Sequence, residues 1–256
     1  MSSDPESLRE GTLISHLLEL RDRLMRAFLA VALVSIPCIW KSNELFEYLA
    51  KPLLAQMPKN ASLIATSITA PFTTPIKLAI IVSILIAMPY VLYQAWAFVA
   101  PGLYRHEKRY AMPLLVSAII LFYCGCAFAY WVVFPLIFNF FVHTAPANVT
   151  LMADIDMYLD FVLVLMFSFG AAFEVPVAVV LLVSLGVVKI EKLTSIRGYV
   201  LIAVFVIAAI LTPPDAVSQT IMAVPMYLLY EGGIIFARIL LRGRKDGEDK
   251  KEGEAT

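Results

Sequence analysis

Residues Phe161–Gly186 read FVLVLMFSFGAAFEVPVAVVLLVSLG, 26 residues that carry a single charge, Glu174. As a helix rising 1.5 Å per residue the stretch would span about 39 Å, more than the roughly 30 Å of hydrocarbon in a bilayer. A run this long and this apolar is a transmembrane helix. An ionised carboxylate near the bilayer centre costs several kcal/mol, so such a residue usually faces a protein interior or a watery cavity and marks a functional site. The competing reading is a protonated Glu hydrogen-bonded between helices for packing. Pro176 follows by two residues, which puts the carboxylate next to an expected bend.

The rest of the chain repeats the pattern. Hydrophobic residues make up 61% of the 256 and charged ones 16%, with a mean hydropathy of +0.82. A soluble core of this length could not bury so much apolar surface, so the class is a polytopic membrane protein, all-α. Six spans follow from the need for roughly 20 apolar residues per crossing. They are Leu24–Trp40, Ile76–Val99, Met112–Val142, Met157–Val188, Tyr199–Leu211 and Val217–Ala237. A net charge of zero argues against any general affinity for nucleic acid.

Positive charge sets the orientation. Of the 20 Lys and Arg, only Lys41, Lys51, Lys59 and Lys77 fall on one side of the six-span arrangement. The other side takes the remainder, in the N-terminal segment, the loops after spans two and four, and the C-terminal tail. The positive-inside rule then predicts that both termini are cytoplasmic. The N-terminus is polar for about two dozen residues and shows no signal-peptide h-region with a small-residue cleavage site.

These spans form one transmembrane domain over residues 1–242. A cytoplasmic helix over about 13–23 feeds the first span, with Leu17, Leu18, Leu20 and Leu24 on its apolar side. The first external loop, about 43–75, carries a short amphipathic helix that Pro52 should interrupt. The tail over 243–256 is rich in Lys, Glu, Asp and Gly, a composition expected to be disordered. Cys38, Cys124 and Cys126 lie in apolar stretches without metal-ligand spacing and read as packing residues.

Spans five and six look short. The first gives only about 20 Å of helix before Thr212-Pro213-Pro214-Asp215, where consecutive prolines stop it. The second opens on Ser218, Gln219 and Thr220, which shortens its apolar part. A short helical pair thins the bilayer locally unless neighbouring helices shield its polar ends. Pro89, Pro135, Pro176 and Pro225 lie inside spans and favour a curved wall over a straight bundle.

Two acids stand out at the cytoplasmic edge: Glu19, in Glu19-Leu20-Arg21-Asp22-Arg23, and Glu107, the one acid in its loop. Brought together, they could hold guanidinium groups through charge-assisted hydrogen bonds. The alternative is local pairing, Glu19 with Arg23 at i, i+4 and Glu107 with its basic neighbours.

Six segments carry a family resemblance: His16-Leu17-Leu18-Glu19-Leu20-Arg21, Ala70-Pro71-Phe72, Tyr93-Gln94-Ala95-Trp96-Ala97-Phe98, Pro101-Gly102-Leu103-Tyr104-Arg105-His106-Glu107, Phe173-Glu174-Val175-Pro176 and Thr212-Pro213-Pro214-Asp215. In this order and spacing, from about Leu13 to Arg238, the chain resembles the TatC family, the polytopic component of the twin-arginine protein translocase. The resemblance implies six helices in a concave, cupped bundle in the bacterial inner membrane, with no cofactor, no metal and no enzymatic activity. It implies binding of twin-arginine signal peptides by Glu19 and Glu107, with Arg21 and Phe98 in the same region. Glu174 matches the intramembrane acid, and Gln219 lies near the external end of span six. Pro52, Phe72 and Asp215 match external positions. Implied partners are TatA- and TatB-type single-span proteins, further copies of the chain in a multisubunit complex, and membrane lipids. Folded cargo would cross on the proton-motive force.

Other classes fit less well. A proton- or ion-coupled solute transporter would also use a lone intramembrane carboxylate, but the broken-helix repeats of such proteins are not evident. A zinc protease fails at position 110, where Tyr110 replaces the second His after His106-Glu107.

Overall fold

The computed structural model describes residues 5–56, 63–99, 108–144, 152–212 and 215–253. The helices are α1 (Pro5–Trp40), α2 (Ser42–Gln56), α3 (Ala70–Val99), α4 (Lys108–Phe128), α5 (Phe134–Thr144), α6 (Ile155–Phe173), α7 (Val175–Ser184), α8 (Ile190–Ser195), α9 (Arg197–Leu211) and α10 (Ala216–Gly253). A π-helical turn, Ala129–Val133, joins α4 to α5 just before Pro135, which has no N–H to give the α pattern. Among the described residues the one β interaction is an isolated parallel bridge between Ile64 and Asp154.

Among the described residues, five helical stretches are long and apolar enough to cross a membrane: Ser15–Trp40, Ala70–Phe98, Met112–Thr144, Ile155–Ser184 and Ala216–Ile239. Helix α9 is the sixth apolar segment. Its 15 residues make only about 22 Å of helix, so the fifth segment is short, as its sequence predicts. It stops because Thr212, preceding a proline, is forced into extended backbone at φ −115°, ψ 158°.

Three expectations change in detail. The sixth stretch is not short, since its 24 residues include the polar opening as helix. Thr220 there returns its hydroxyl to the Ala216 carbonyl at 2.6 Å, so it needs no water. Helix α2 continues through position 52 to Gln56 instead of breaking at Pro52, because a proline removes one hydrogen bond and bends a helix without having to end it. Helix α10 likewise runs on to Gly253, through most of the 243–256 tail. Extending an existing helix avoids the cost of nucleation, and Lys, Arg and Glu are good helix formers.

The chain divides into two compact units, Met1–Tyr48 with Phe72–Ile119, and Leu49–Pro71 with Ile120–Thr256. In the first, α1 and α3 run antiparallel, with three side-chain contacts that climb α1 as they descend α3. His16 stacks on Phe98 with ring centroids 4.2 Å apart. The Arg23 guanidinium faces Gln94 Oε1 at 3.5 Å. The hydroxyls of Ser35 and the fully buried Ser83 meet at 2.7 Å, and Ser83 also donates to the Ile80 carbonyl. The buried Ser83 hydroxyl is thereby satisfied inside an apolar contact. Leu24, Phe28, Leu29, Leu33 and Ile36 of α1 are exposed, as lipid-facing side chains would be.

The second unit is held by close backbone approach. A Cβ on Gly125 of α4 would lie 2.5 Å from the Phe169 carbonyl oxygen of α6, and one on Gly170 would lie 2.7 Å from the Phe122 ring. A Gly125→Ala variant is therefore expected to lose about 1–3 kcal/mol of stability, the usual cost of overpacking. Its melting temperature in detergent measures this, and an unchanged value would show that α4 and α6 can part freely. Helix α7 closes on Gly186, whose φ of +68° suits the left-handed C-cap. Tyr158, buried, donates to the Leu49 carbonyl at 2.8 Å and so ties α6 to α2.

Candidate functional site

Glu19, Arg23, Gln94, His16 and Phe98 gather where the N-terminal half of α1 meets the end of α3. Positions 16, 19 and 23 fall on one stripe of α1, and 94 and 98 on one stripe of α3, by the helical period. Arg23 donates twice to one oxygen of Glu19, from Nε at 2.9 Å and Nη2 at 2.6 Å. Local pairing of Glu19 with Arg23 is thus what forms. Arg21 is exposed, Phe98 is half-buried against His16, and Gln94 is buried. Glu107, the expected second acid, lies outside the described residues.

Glu174 occupies the break between α6 and α7. Pro176 has no N–H for the Ala172 carbonyl four residues back. The Glu174 N–H turns to the carbonyls of Ala171 and Ala172 instead, while its own carbonyl accepts from Ala178 at 2.9 Å. Gly233 of α10 faces this break, and a Cβ there would come within 2.9 Å of the Pro176 Cα. The half-buried Glu174 side chain has one carboxyl oxygen, Oε1, that is shut off from solvent and makes no hydrogen bond.

Gln219 donates its side-chain amide to the Phe205 carbonyl of α9 at 2.9 Å. It borders an apolar groove of about 330 Å³ lined by Leu201, Ile202, Phe205, Val206 and Ala209. Asp215 caps α10 by accepting the Ser218 N–H at 2.7 Å on Oδ1, while its Oδ2 and the Ser218 hydroxyl are buried without partners. Phe72 is exposed in the first turn of α3. Pro52 is helical backbone within α2.

Two polar arrangements escape a reading of the sequence. Asp154 caps α6 with Oδ1, accepting the N–H groups of Asp156 and Met157, and with Oδ2 holds both the hydroxyl and the N–H of Thr66. The Thr66 hydroxyl above all, with these N–H groups, pushes its pKa down to about 2. A depressed carboxyl stabilises the folded chain above its ordinary value near 4 and loses that effect only as pH falls toward 2, so this tie is closed at any neutral or mildly acidic pH. Arg197, at the start of α9, pairs with Glu231 of α10 at 2.6 Å, and Tyr227 donates to the other Glu231 oxygen at 3.1 Å. Opposite charges near ends of spans five and six that meet at one loop side were the available signal for this pair.

The family model for the Sec-independent protein translocase protein TatC matches residues 15–225. The chain belongs to the TatC family. It is 54% identical over 226 residues to the Sec-independent protein translocase protein TatC of Haemophilus influenzae, covering 88% of each chain. It is 47% identical over 237 residues to that of Escherichia coli, covering 93% of this chain and 92% of the relative. A crystal structure of the twin-arginine translocase receptor TatC superposes with a TM-score of 0.79 at 40% identity, over 88% of this chain and 98% of the other.

This TatC-family chain is therefore a multi-span subunit of the twin-arginine protein translocase, working in a complex with other Tat subunits, and not a solute transporter. The α1–α3 cluster and the Glu174 break both contain motif residues that carry the resemblance.

Proposed function

We propose that this chain is the receptor for signal peptides bearing two consecutive arginines, and that it works with TatA- and TatB-type subunits to export folded proteins on the proton-motive force. Both termini lie in the cytoplasm and the chain resides in the bacterial inner membrane, with further copies in the working complex. Glu19 and Glu107 hold the guanidinium groups, and Arg21 and Phe98 border them. The observation that carries this reading is Glu19, whose carboxylate accepts two hydrogen bonds from a guanidinium beside the buried amide of Gln94. A forked guanidinium suits such a carboxylate better than an ammonium does.

Glu174 faces the route of a partner helix and offers its free oxygen to a polar side chain there. The groove beside Gln219 belongs to the same docking surface, and Pro52, Phe72 and Asp215 act on the external side. The direct test is site-specific crosslinking of a twin-arginine peptide to the chain in membranes. Crosslinks at α1 and at the loop holding Glu107 are expected, and their absence would remove the receptor role.

Topology is checked separately. Cysteines at position 60 and at the C-terminus are expected to label from opposite faces of the membrane, given the distribution of Lys and Arg. Labelling from one face would overturn the six-span arrangement with cytoplasmic termini.

A further inference from the structure

We propose that Arg23 is an internal competitor for the signal peptide: it occupies Glu19 in the resting chain and must swing off toward Gln94 before a peptide arginine can bind. The inference rests on the reading of Glu19 as a signal-peptide acid. An ordinary i, i+4 pair on an open helix face is worth little, but this pair is set into a helix contact. The Arg23 side chain is 22% exposed and that of Glu19 37%. Both Arg23 contacts converge on Oε1, so Arg23 holds one of the two carboxylate oxygens that a forked guanidinium would use.

Gln94 gives Arg23 somewhere to go. It belongs to α3, is 5% exposed, and aims Oε1 at Arg23 Nη1 from 3.5 Å. That separation is long for a hydrogen bond, so the guanidinium leans toward Glu19 at rest. A small rotation toward α3 would shorten the Gln94 contact and release the carboxylate while the guanidinium keeps a hydrogen-bond acceptor. Arg21 and Arg26 are exposed, and Arg23 is the arginine that pairs with Glu19. The competitor raises the affinity a ligand needs, so single basic side chains fail to hold the site while a paired-arginine signal succeeds.

The test uses the full chain in membranes and a fluorescent peptide carrying consecutive arginines. Arg23→Gln is expected to tighten binding about two- to five-fold, the scale of a partly exposed ion pair. In a Glu19→Gln background the same change should give no gain, because the contested carboxylate is gone. Equal gains in both backgrounds would mean simple charge repulsion and would overturn the proposal, as would unchanged or weaker binding by Arg23→Gln. Should that variant fail to accumulate, Arg23→Lys, which keeps the charge but loses the fork, is expected to give a smaller gain of the same sign, and no gain would overturn the idea. If Glu19→Gln alone leaves peptide binding unchanged, the assignment of Glu19 fails and the competitor role fails with it. Weakened binding by Glu19→Gln without a gain from Arg23→Gln rejects the competitor alone.

Discussion

A Glu174→Ala chain is expected to accumulate at its normal level and bind signal peptide, yet fail to export. Oε1 is buried and makes no hydrogen bond. Removing the carboxyl breaks no hydrogen bond at Oε1 and takes away an unsatisfied polar atom, so folding should not suffer. The break in the backbone belongs to Pro176 and the Ala171 and Ala172 carbonyls, and it survives the substitution. What is lost is a group able to hydrogen-bond a partner helix. Interhelical hydrogen bonds in membranes average about 0.6 kcal/mol and reach about 1.7, which corresponds to roughly three- to twenty-fold weaker partner association. Glu174→Gln should be milder, since an amide both donates and accepts. Partner crosslinking, peptide crosslinking and export on the same variants decide the matter. Normal export by Glu174→Ala, or loss explained entirely by degradation, would leave the residue a packing element.

The second large effect lies at the recognition acids. Glu→Gln at position 19 or 107 preserves size and removes charge. Each change is expected to weaken twin-arginine peptide binding by about 1.5–3 kcal/mol, the range for hydrogen bonds to charged groups, or roughly ten- to a hundred-fold. Arg→Lys in the peptide should also weaken binding, because an ammonium lacks the planar fork. Titration of labelled peptide against the single and double variants measures this. Unchanged affinity in the Glu19→Gln, Glu107→Gln chain would falsify the assignment.

The membrane-spanning architecture was readable because apolar runs report their own burial. All six apolar segments fall where hydropathy puts them, and α9 is short because Thr212 must be extended ahead of its proline. The sixth span was misjudged for a local reason: Ser218, Gln219 and Thr220 are polar, yet Thr220 and Gln219 find carbonyls within the helices and stay helical. At the candidate site the acids were readable, since a charge in an apolar or basic setting is conspicuous. Their neighbours were not. Gln94 and Ser83 look like incidental polar residues in span two until α1 supplies Arg23 and Ser35 opposite them. The Asp154–Thr66 tie joins residues 88 positions apart, and no local pattern in either segment announces such a pairing.

Pro176 and Gly233 are two departures from ordinary helix chemistry that face each other. The proline moves its own backbone out of line, and the glycine is the absence that receives it. Neither position therefore has a fixed tolerance of its own. An alanine at 233 meets a wall while Pro176 is present, but restoring an N–H at 176 would let the α6–α7 backbone relax and change what 233 can accept. Substitutions at these two sites should be inherited as a unit, with the cost of one depending on the identity of the other. Such epistasis would constrain how sequences in this region drift, quite apart from any demand made by the neighbouring carboxylate.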